Sequence, residues 1–323
     1  MGDDPLMAVF IILSLILSYF LTGLFLAYIY SLSTKYGILD QPASGRIHKK
    51  PVPRLGGAAI WAGWAGSVTL IYFIFRLTGY NCMEARQFLT ILAGSAVFML
   101  IGLIDDLYGI RARVKLALQF IVVLLLAYFS IRVTLFTSYN LSIYALNFII
   151  TYFWFLIIIN GINFIDGMDG LASTVFISSL AAPLAIACAG GNIFLAVFIT
   201  VAGGAVLRFF KSNCPPADIF MGDSGSYFLG FILSVITLLL QYRGPAFKAF
   251  TIPVLIAAAP IAEASFIIIW RLKNRRPLFQ GDLNHSYNIL LNKGHGEKKL
   301  LALAALGVLA VQAIASALYF LIN

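Results

Sequence analysis

The chain has 323 residues, 61% of them hydrophobic and only 11% charged, with a mean hydropathy of +0.94. Soluble domains are about 45–50% apolar and about 25% charged, so this balance excludes a water-soluble globule, and the same hydrophobicity excludes a disordered chain. The formal net charge is +9, from 22 Lys and Arg against 13 Asp and Glu. In so apolar a chain that surplus reads as basic residues kept on cytoplasmic loops, and no nucleic-acid partner is expected. Cys82, Cys188 and Cys214 are isolated and lack CxxC spacing, so neither a disulfide framework nor a zinc site is indicated.

A helix needs about 20 apolar residues to cross the hydrocarbon of a bilayer. Stretches that meet or approach that length run 6–30, 55–78, 87–104, 115–136, 146–165, 170–189, 191–209, 226–240, 249–270 and 299–322. They predict an all-α integral membrane protein of ten transmembrane helices in one polytopic domain, 1–323, with the lipid bilayer as its first partner. Asp3 and Asp4 stand where a cleaved signal carries basic residues, so the first span is expected to stay. The stretch 226–240 is short, and two spans nearly touch at Gly190–Gly191. Seventeen of the 22 Lys and Arg residues fall in or beside the odd-numbered loops. Those loops are therefore expected on the cytoplasmic side, with both termini outside. Nine of the 13 acidic residues and all three histidines fall on the same face. A transporter would place ionisable groups nearer the midplane. Only Glu263 lies plainly inside a span, either as a functional carboxylate or as a protonated group packing helices.

The chemistry collects in the odd loops. The first carries Arg46, His48, Lys49, Lys50 and Arg54 with Pro51, Pro53 and the pair Gly56-Gly57. This stiff cationic turn suits either phosphate oxygens or anionic lipid heads. The third begins at Asp105-Asp106 and ends at Lys115. Neighbouring carboxylates repel unless a cation neutralises them, and on a regular helix they point about 100° apart, so the two serve one centre only if the turn frays or their roles differ. They suit Mg2+, or the solvated start of a loop. In the fifth loop Asn160, Asn163, Asp166 and Asp169 recur every third residue, a polar stripe that could read a nucleobase and ribose or hold a metal with its waters. The seventh carries Gly222-Asp223-Ser224-Gly225-Ser226, where Asp223 is an N-cap or a metal ligand approached by phosphate. The ninth, the most basic, holds Arg271, Lys273, Arg275 and Arg276, then Asp282 and His285. His285 could contact a phosphate or sugar, and the arginines could sense the anionic leaflet. Together the loops fit a metal-assisted reaction on a diphosphate at the membrane surface.

At these residues the chain resembles the polyprenyl-phosphate N-acetylhexosamine-1-phosphate transferases over nearly its whole length. The shared motifs are the basic Pro-rich turn at 46–57, the Asp-Asp pair, NxxNxxDGxDGLA at 160–172 and GDxGS at 222–226. The resemblance implies transfer of a sugar 1-phosphate from a UDP-N-acetylhexosamine to polyprenyl phosphate, releasing UMP, with Mg2+ (or Mn2+) on the diphosphate. It implies that Asp223 is the metal ligand and that Asp105 deprotonates or positions the lipid phosphate. Asp106 would support metal and phosphate, and Lys115 would neutralise diphosphate charge. Asn163, Asp166 and Asp169 would line the nucleotide site, and Arg46, His48, Arg54 and His285 would contact substrate. Direct attack by the lipid phosphate is favoured over an aspartyl intermediate, because that phosphate is already an anionic nucleophile. The expected location is the inner (cytoplasmic) membrane, with the site on its cytoplasmic face. Loop nine departs from the family: the histidine triplet of the phospho-MurNAc-pentapeptide branch is absent. Tyr287 and Asn288 stand where the GlcNAc-type branch carries its later histidines. UDP-GlcNAc is the first expectation for the donor. Gly203, Gly204 and Ala205 could pack helices within one chain or within a homodimer.

Overall fold

The computed structural model describes residues 5–41, 50–129, 131, 141–240, 246–277 and 285–322. Arg46 and His48 of the basic turn, and Asp282 of loop nine, lie outside the described residues. Almost everything described is helix: α1 (Pro5–Lys35), α2 (Gly56–Thr78), α3 (Ala85–Tyr108), α4 (Ala112–Tyr128), α5 (Leu141–Ile165), α6 (Leu171–Ser179), α7 (Ala181–Ala189), α8 (Ile193–Asn213), α9 (Gly222–Leu239), α10 (Ala246–Ile256), α11 (Ala258–Lys273), α12 (Ser286–Asn292) and α13 (Glu297–Ile322). One two-stranded antiparallel ribbon, β1 (Leu39–Asp40) with β2 (Val52–Pro53), was not expected from the sequence.

Among the described residues eight helical segments are long and apolar enough to cross a bilayer, and a bent pair makes a ninth. The pair α6–α7 counts as one of the eight, Leu171–Ala189, with only Leu180 between its halves. α4, the expected fourth span, has 17 residues. The near-contact at 190–191 is a tight turn in which Gly191 adopts φ 67° and Asn192 caps α8 through a bond from the Leu195 N–H, 3.0 Å. α9 starts four residues earlier than the apolar stretch and is buried along most of its length. It is the central post, packed against α2, α3 and α5, while α1 lies against α2 and α8, and α13 against α6, α7 and α10.

In hydrocarbon, backbone groups must find partners inside the protein, and small residues let helices approach. Gly204 faces the Leu15 carbonyl of α1, so this small-residue stripe packs helices within the chain. Ser14 and Thr200 hydroxyls bond at 2.8 Å, and Ser18 donates to the Val201 carbonyl at 2.6 Å, along the same seam. The bent span turns 79° at Ala257, between Pro253 and Pro260. Pro260 has no N–H for the Ile256 carbonyl. Gln312 of α13 donates to that carbonyl instead, at 3.1 Å.

Candidate active site

The site is built at one end of the bundle, where α2, α4 and α9 begin and α3 and α5 finish. Its position follows from backbone contact. A Cβ on Gly57 would overlap the Gly225 backbone, and one on Gly102 would overlap the Asp223–Ser224 peptide, so α2, α3 and α9 meet with no side chains between them. The chain entering α9 is zipped to the ribbon: the Phe220 N–H bonds to the Pro53 carbonyl (2.8 Å), and the Gly56 and Gly57 N–H groups bond to the Phe220 and Met221 carbonyls (2.9 and 2.8 Å). The GDSGS turn is thereby fixed against the last turn of α3.

The Asp-Asp pair divides its work. Asp106 Oδ1 accepts from the Asp223 N–H at 2.8 Å and Oδ2 from the Ser224 N–H at 3.0 Å, and Arg54 Nε lies 3.2 Å from Oδ1. Its side chain is 0% exposed. A carboxylate from α3 thus satisfies the first free N–H groups of α9 and sits at the positive end of that helix. In this structure Asp106 therefore anchors the start of α9, each of its oxygens accepting one backbone N–H. Arg54, expected at phosphate, is tied to Asp106, although its side chain remains 37% exposed.

Asp105 points the other way. Its Oδ1 accepts from the Ile110 N–H at 2.7 Å, which closes the turn after α3, and its Oδ2 pairs with the Lys115 ammonium. Lys115 Nζ also lies 3.2 Å from Asp223 Oδ2. One ammonium therefore bridges two carboxylates. Asn163 Nδ2 donates to Asp223 Oδ1 and to Ser226 Oγ, both at 2.9 Å, and so orients the Asp223 carboxylate from α5. Ser226 had not been singled out by sequence, although it stands one helical turn after Asp223 on the same face. Asn160 faces away from the cluster, with Nδ2 bonded to Gln119 Oε1 (3.1 Å) and to the Leu156 carbonyl (2.8 Å).

Asp166, the first residue past α5, lies beside this cluster, and among the described residues no hydrogen-bond donor contacts its carboxylate. Burial, and then the neighbouring Asp223, Asp106 and Asp169, push its carboxyl well above the usual carboxylate range, against a smaller opposing pull from Arg54. Asp169 also serves the fold. Its Oδ2 accepts from the Ala217 N–H at 2.9 Å, holding the loop between α8 and α9. Asn213 reinforces that clamp by accepting from the Gly170 N–H and donating to the Ile219 carbonyl, both at 2.9 Å.

His285 does not touch the carboxylates. Its Nδ1 lies 3.5 Å from Glu263 Oε1 of α11, and its ring stacks on Tyr287 and lies near Phe164. Glu263 also accepts from the Ser286 N–H at 3.2 Å and from the Ser286 hydroxyl. The intramembrane carboxylate therefore anchors the start of α12, a partnership between residues 22 and 23 positions apart that no local pattern announced. Tyr287, also missed by sequence, sets its hydroxyl against Gly167 beside Asp166. Its phenol is raised above the usual range by burial first, then by Asp166 and Glu263. Arg271 is buried, with its guanidinium 5.7 Å from the centre of the Phe164 ring, rather than reaching outward to a lipid surface.

The donor set facing the cluster is made of hard oxygens: the Asp105 and Asp223 carboxylates, with Asp166 alongside. Among the described residues no group of three or more acidic, histidine or cysteine side chains closes a metal cage. Two carboxylates bridged by an ammonium suit Mg2+, which keeps several waters and completes its shell with substrate phosphates.

One family and three relatives bear on what this site serves. Residues 88–241 match the family described as glycosyl transferase family 4. A relative named as a probable undecaprenyl-phosphate N-acetylglucosaminyl 1-phosphate transferase, from Bacillus subtilis, is 31% identical over 269 residues, 81% of this chain and 72% of its own length. The decaprenyl-phosphate N-acetylglucosaminephosphotransferase of Mycobacterium tuberculosis is 29% identical over 94% of this chain and 81% of its own length. The undecaprenyl-phosphate alpha-N-acetylglucosaminyl 1-phosphate transferase of Escherichia coli is 27% identical over 92% and 83%. Matched by this family over residues 88–241 and by a 31% identical relative over 81% of its length, the chain belongs to glycosyl transferase family 4, among the polyprenyl-phosphate N-acetylhexosamine-1-phosphate transferases.

Proposed function

We propose that this membrane enzyme transfers N-acetylglucosamine 1-phosphate from UDP-N-acetylglucosamine to a polyprenyl phosphate of the undecaprenyl type, releasing UMP. The observation that carries the reading is the bridge Asp105–Lys115–Asp223, steadied by Asn163, at the end of an apolar helix bundle. It offers paired anions for a divalent ion and a cation for phosphate, at the level where a lipid phosphate meets a water-soluble nucleotide. The relatives' names supply the sugar and the lipid.

An oxygen of the lipid phosphate attacks the sugar-linked phosphorus of the donor, and the bond from that phosphorus to the bridging oxygen breaks, so UMP leaves with the electron pair. Asp105, fixed by the Ile110 N–H and by Lys115, holds the acceptor phosphate and takes its remaining proton. Lys115 stands between the reacting phosphates and offsets the charge that grows on the leaving phosphate. Asn163 keeps Asp223 from turning away. Asp166 offers an acceptor to the ribose or base. Mg2+, when bound at Asp223 with Asp105 beside it, supplies neutralising charge on the diphosphate. In the bilayer, the eight spans, the bent pair and α4 make ten crossings, with the site on the cytoplasmic face of the inner membrane and both termini outside. The 17 basic residues of the odd loops support this orientation.

The test is a panel of UDP-sugars, UDP-MurNAc-pentapeptide included, with one polyprenyl phosphate acceptor and Mg2+, read as UMP release. UMP is expected with UDP-N-acetylglucosamine only when acceptor and Mg2+ are both present. Release with no acceptor dependence would refute the transfer. A preference for UDP-MurNAc-pentapeptide would reassign the sugar.

A further inference from the structure

The same end of the bundle carries a second polar cleft, separate from the carboxylate cluster. It has a volume of about 360 Å3 and is lined by Leu26, Ala27 and Tyr30 of α1, Arg208 and Ser212 of α8, and Asp218 of the loop that follows. Ala27, Tyr30 and Asp218 are exposed, so the cleft opens on the outward face of α1. Arg208 lies within a membrane-spanning helix, near its end. Its side chain crosses α1 at Gly23, where a Cβ would stand 3.0 Å from Nε. The guanidinium donates to Ser212 Oγ at 3.1 Å and lies 6.0 Å from the centre of the Tyr19 ring.

A charged side chain inside a span is costly and asks for a named partner. Among the described residues Arg208 has no carboxylate within ion-pair distance, and Asp218, in the same cleft, has no cation within that distance. The loop bearing Asp218 is held by its own N–H, which donates to the Ser212 carbonyl at 2.9 Å. Two opposite charges thus open to one space, near the end of a membrane-spanning helix, without closing on each other. A single ligand satisfies both if it carries a negative and a positive group a few bonds apart. A phosphodiester suits the planar fork of Arg208, with the Ser212 and Tyr30 hydroxyls beside it. A primary ammonium suits Asp218.

We propose that this cleft binds the headgroup of a zwitterionic aminophospholipid, with the phosphodiester on Arg208 and the ammonium on Asp218. The site is independent of the transfer reaction, since neither residue touches the carboxylate cluster. It would give the enzyme a preferred lipid neighbour on the side where its substrates meet.

The experiment uses the full-length chain, delipidated and re-supplied with phosphatidylethanolamine, phosphatidylcholine or phosphatidylglycerol, with bound lipid counted by native mass spectrometry. The quaternary ammonium of phosphatidylcholine cannot donate a hydrogen bond, and phosphatidylglycerol has no cation. Wild type is expected to retain phosphatidylethanolamine about tenfold better than phosphatidylcholine, the size of one charge-assisted hydrogen bond. Asp218→Asn removes that preference and leaves phosphatidylglycerol binding equal or stronger, and Arg208→Met weakens retention of all three. Asp218 sits on an exposed loop, so D218N can be read even if R208M does not survive extraction. Equal retention of the three lipids by wild type, or an unchanged preference in D218N, overturns the proposal. So does a cleft that prefers polyprenyl phosphate and holds it more tightly in D218N, which would mark a bare phosphate site.

Discussion

Replacing Asp106 by Asn separates two roles that the sequence leaves entangled. The carboxylate accepts from two backbone N–H groups at the start of α9, at 2.8 and 3.0 Å, and its side chain is 0% exposed, so no water can take its place. The amide retains one acceptor oxygen and turns a donor toward the other N–H. One buried N–H left without a partner costs about 1–3 kcal/mol. Loss of the negative charge at the helix N-terminus adds about 0.3–1 kcal/mol, so D106N should destabilise by roughly 1–4 kcal/mol and D106A, which strands both N–H groups, by roughly 2–7 kcal/mol. The assay pairs thermal unfolding in nanodiscs with UMP release across a Mg2+ titration. The unfolding midpoint should fall with and without Mg2+, in the order wild type, D106N, D106A. Turnover should fall too, because the first of those N–H groups belongs to Asp223 itself. The Mg2+ concentration for half-activity should change by less than about twofold. A metal ligand behaves in the opposite way: its loss raises the Mg2+ requirement and leaves the ion-free melting midpoint unchanged. A D106N protein with wild-type melting and a tenfold higher Mg2+ requirement would refute the anchoring role.

Lys115→Met leaves the Asp105 and Asp223 carboxylates facing each other, so turnover should drop at least about 100-fold, while Mg2+ binding by calorimetry persists or tightens, since no ammonium competes. Lost Mg2+ binding in K115M would contradict that arrangement. Asp166 carries a carboxyl raised well above its unfolded value, so holding it ionised in the fold destabilises the protein as pH rises above the ordinary carboxylate range, and the penalty is absent below that range. Asp166→Asn should therefore melt higher than wild type near pH 8, with a difference that vanishes near about pH 4, while UMP release collapses; a lower midpoint for D166N at pH 8 would run against the sign. Glu263→Ala frees the Ser286 N–H and hydroxyl and the His285 ring, so the Michaelis constant for the nucleotide sugar should rise with His285 no longer placed. Combined with His285→Ala it should add little to the effect of H285A alone, and full additivity would show that Glu263 does not act through His285.

Composition carried the all-helical, membrane-spanning class, because hydrophobicity repeats locally, and the motifs named Asp105, Lys115, Asn163 and Asp223, which the fold brings together. Ten apolar stretches read as helices, and the residue types at 105, 115, 163 and 223 are those that a diphosphate reaction at a membrane needs. The sequence also held the warning that adjacent carboxylates on a helix diverge, and Asp105 and Asp106 do diverge, to Lys115 and to the α9 N-terminus. What could not be read was assignment within a motif. Asp166 and Asp169 share a spacing and a residue type, yet one faces the cluster and the other accepts the Ala217 N–H, a bond made across 48 positions of chain. Glu263 was visible as an anomaly, but its partners Ser286 and His285 come from beyond the end of its own helix. The bend at Ala257 needed more than its prolines: Gln312 supplies the donor that makes a broken span tolerable.

The glycines and the carboxylates of these motifs are one device rather than two. Asp106 can reach the Asp223 and Ser224 N–H groups only because Gly102, one turn back on α3, lets that helix lie against the same peptide. Gly57 and Gly225 do the same for α2 and α9, and the Phe220, Gly56 and Gly57 hydrogen bonds lock the register. Each glycine removes a side chain that would push the helices apart, and each bond then fixes a direction that the close approach leaves free. The result is an acidic cluster whose geometry is set by backbone, in a bilayer where side-chain packing against lipid confers little orientation. Asn163 and Lys115 then position Asp223 within a frame set by these backbone contacts. That is the form of preorganisation an electrostatic mechanism requires, because donors and cations already in place need no rearrangement as the charge on the leaving phosphate develops.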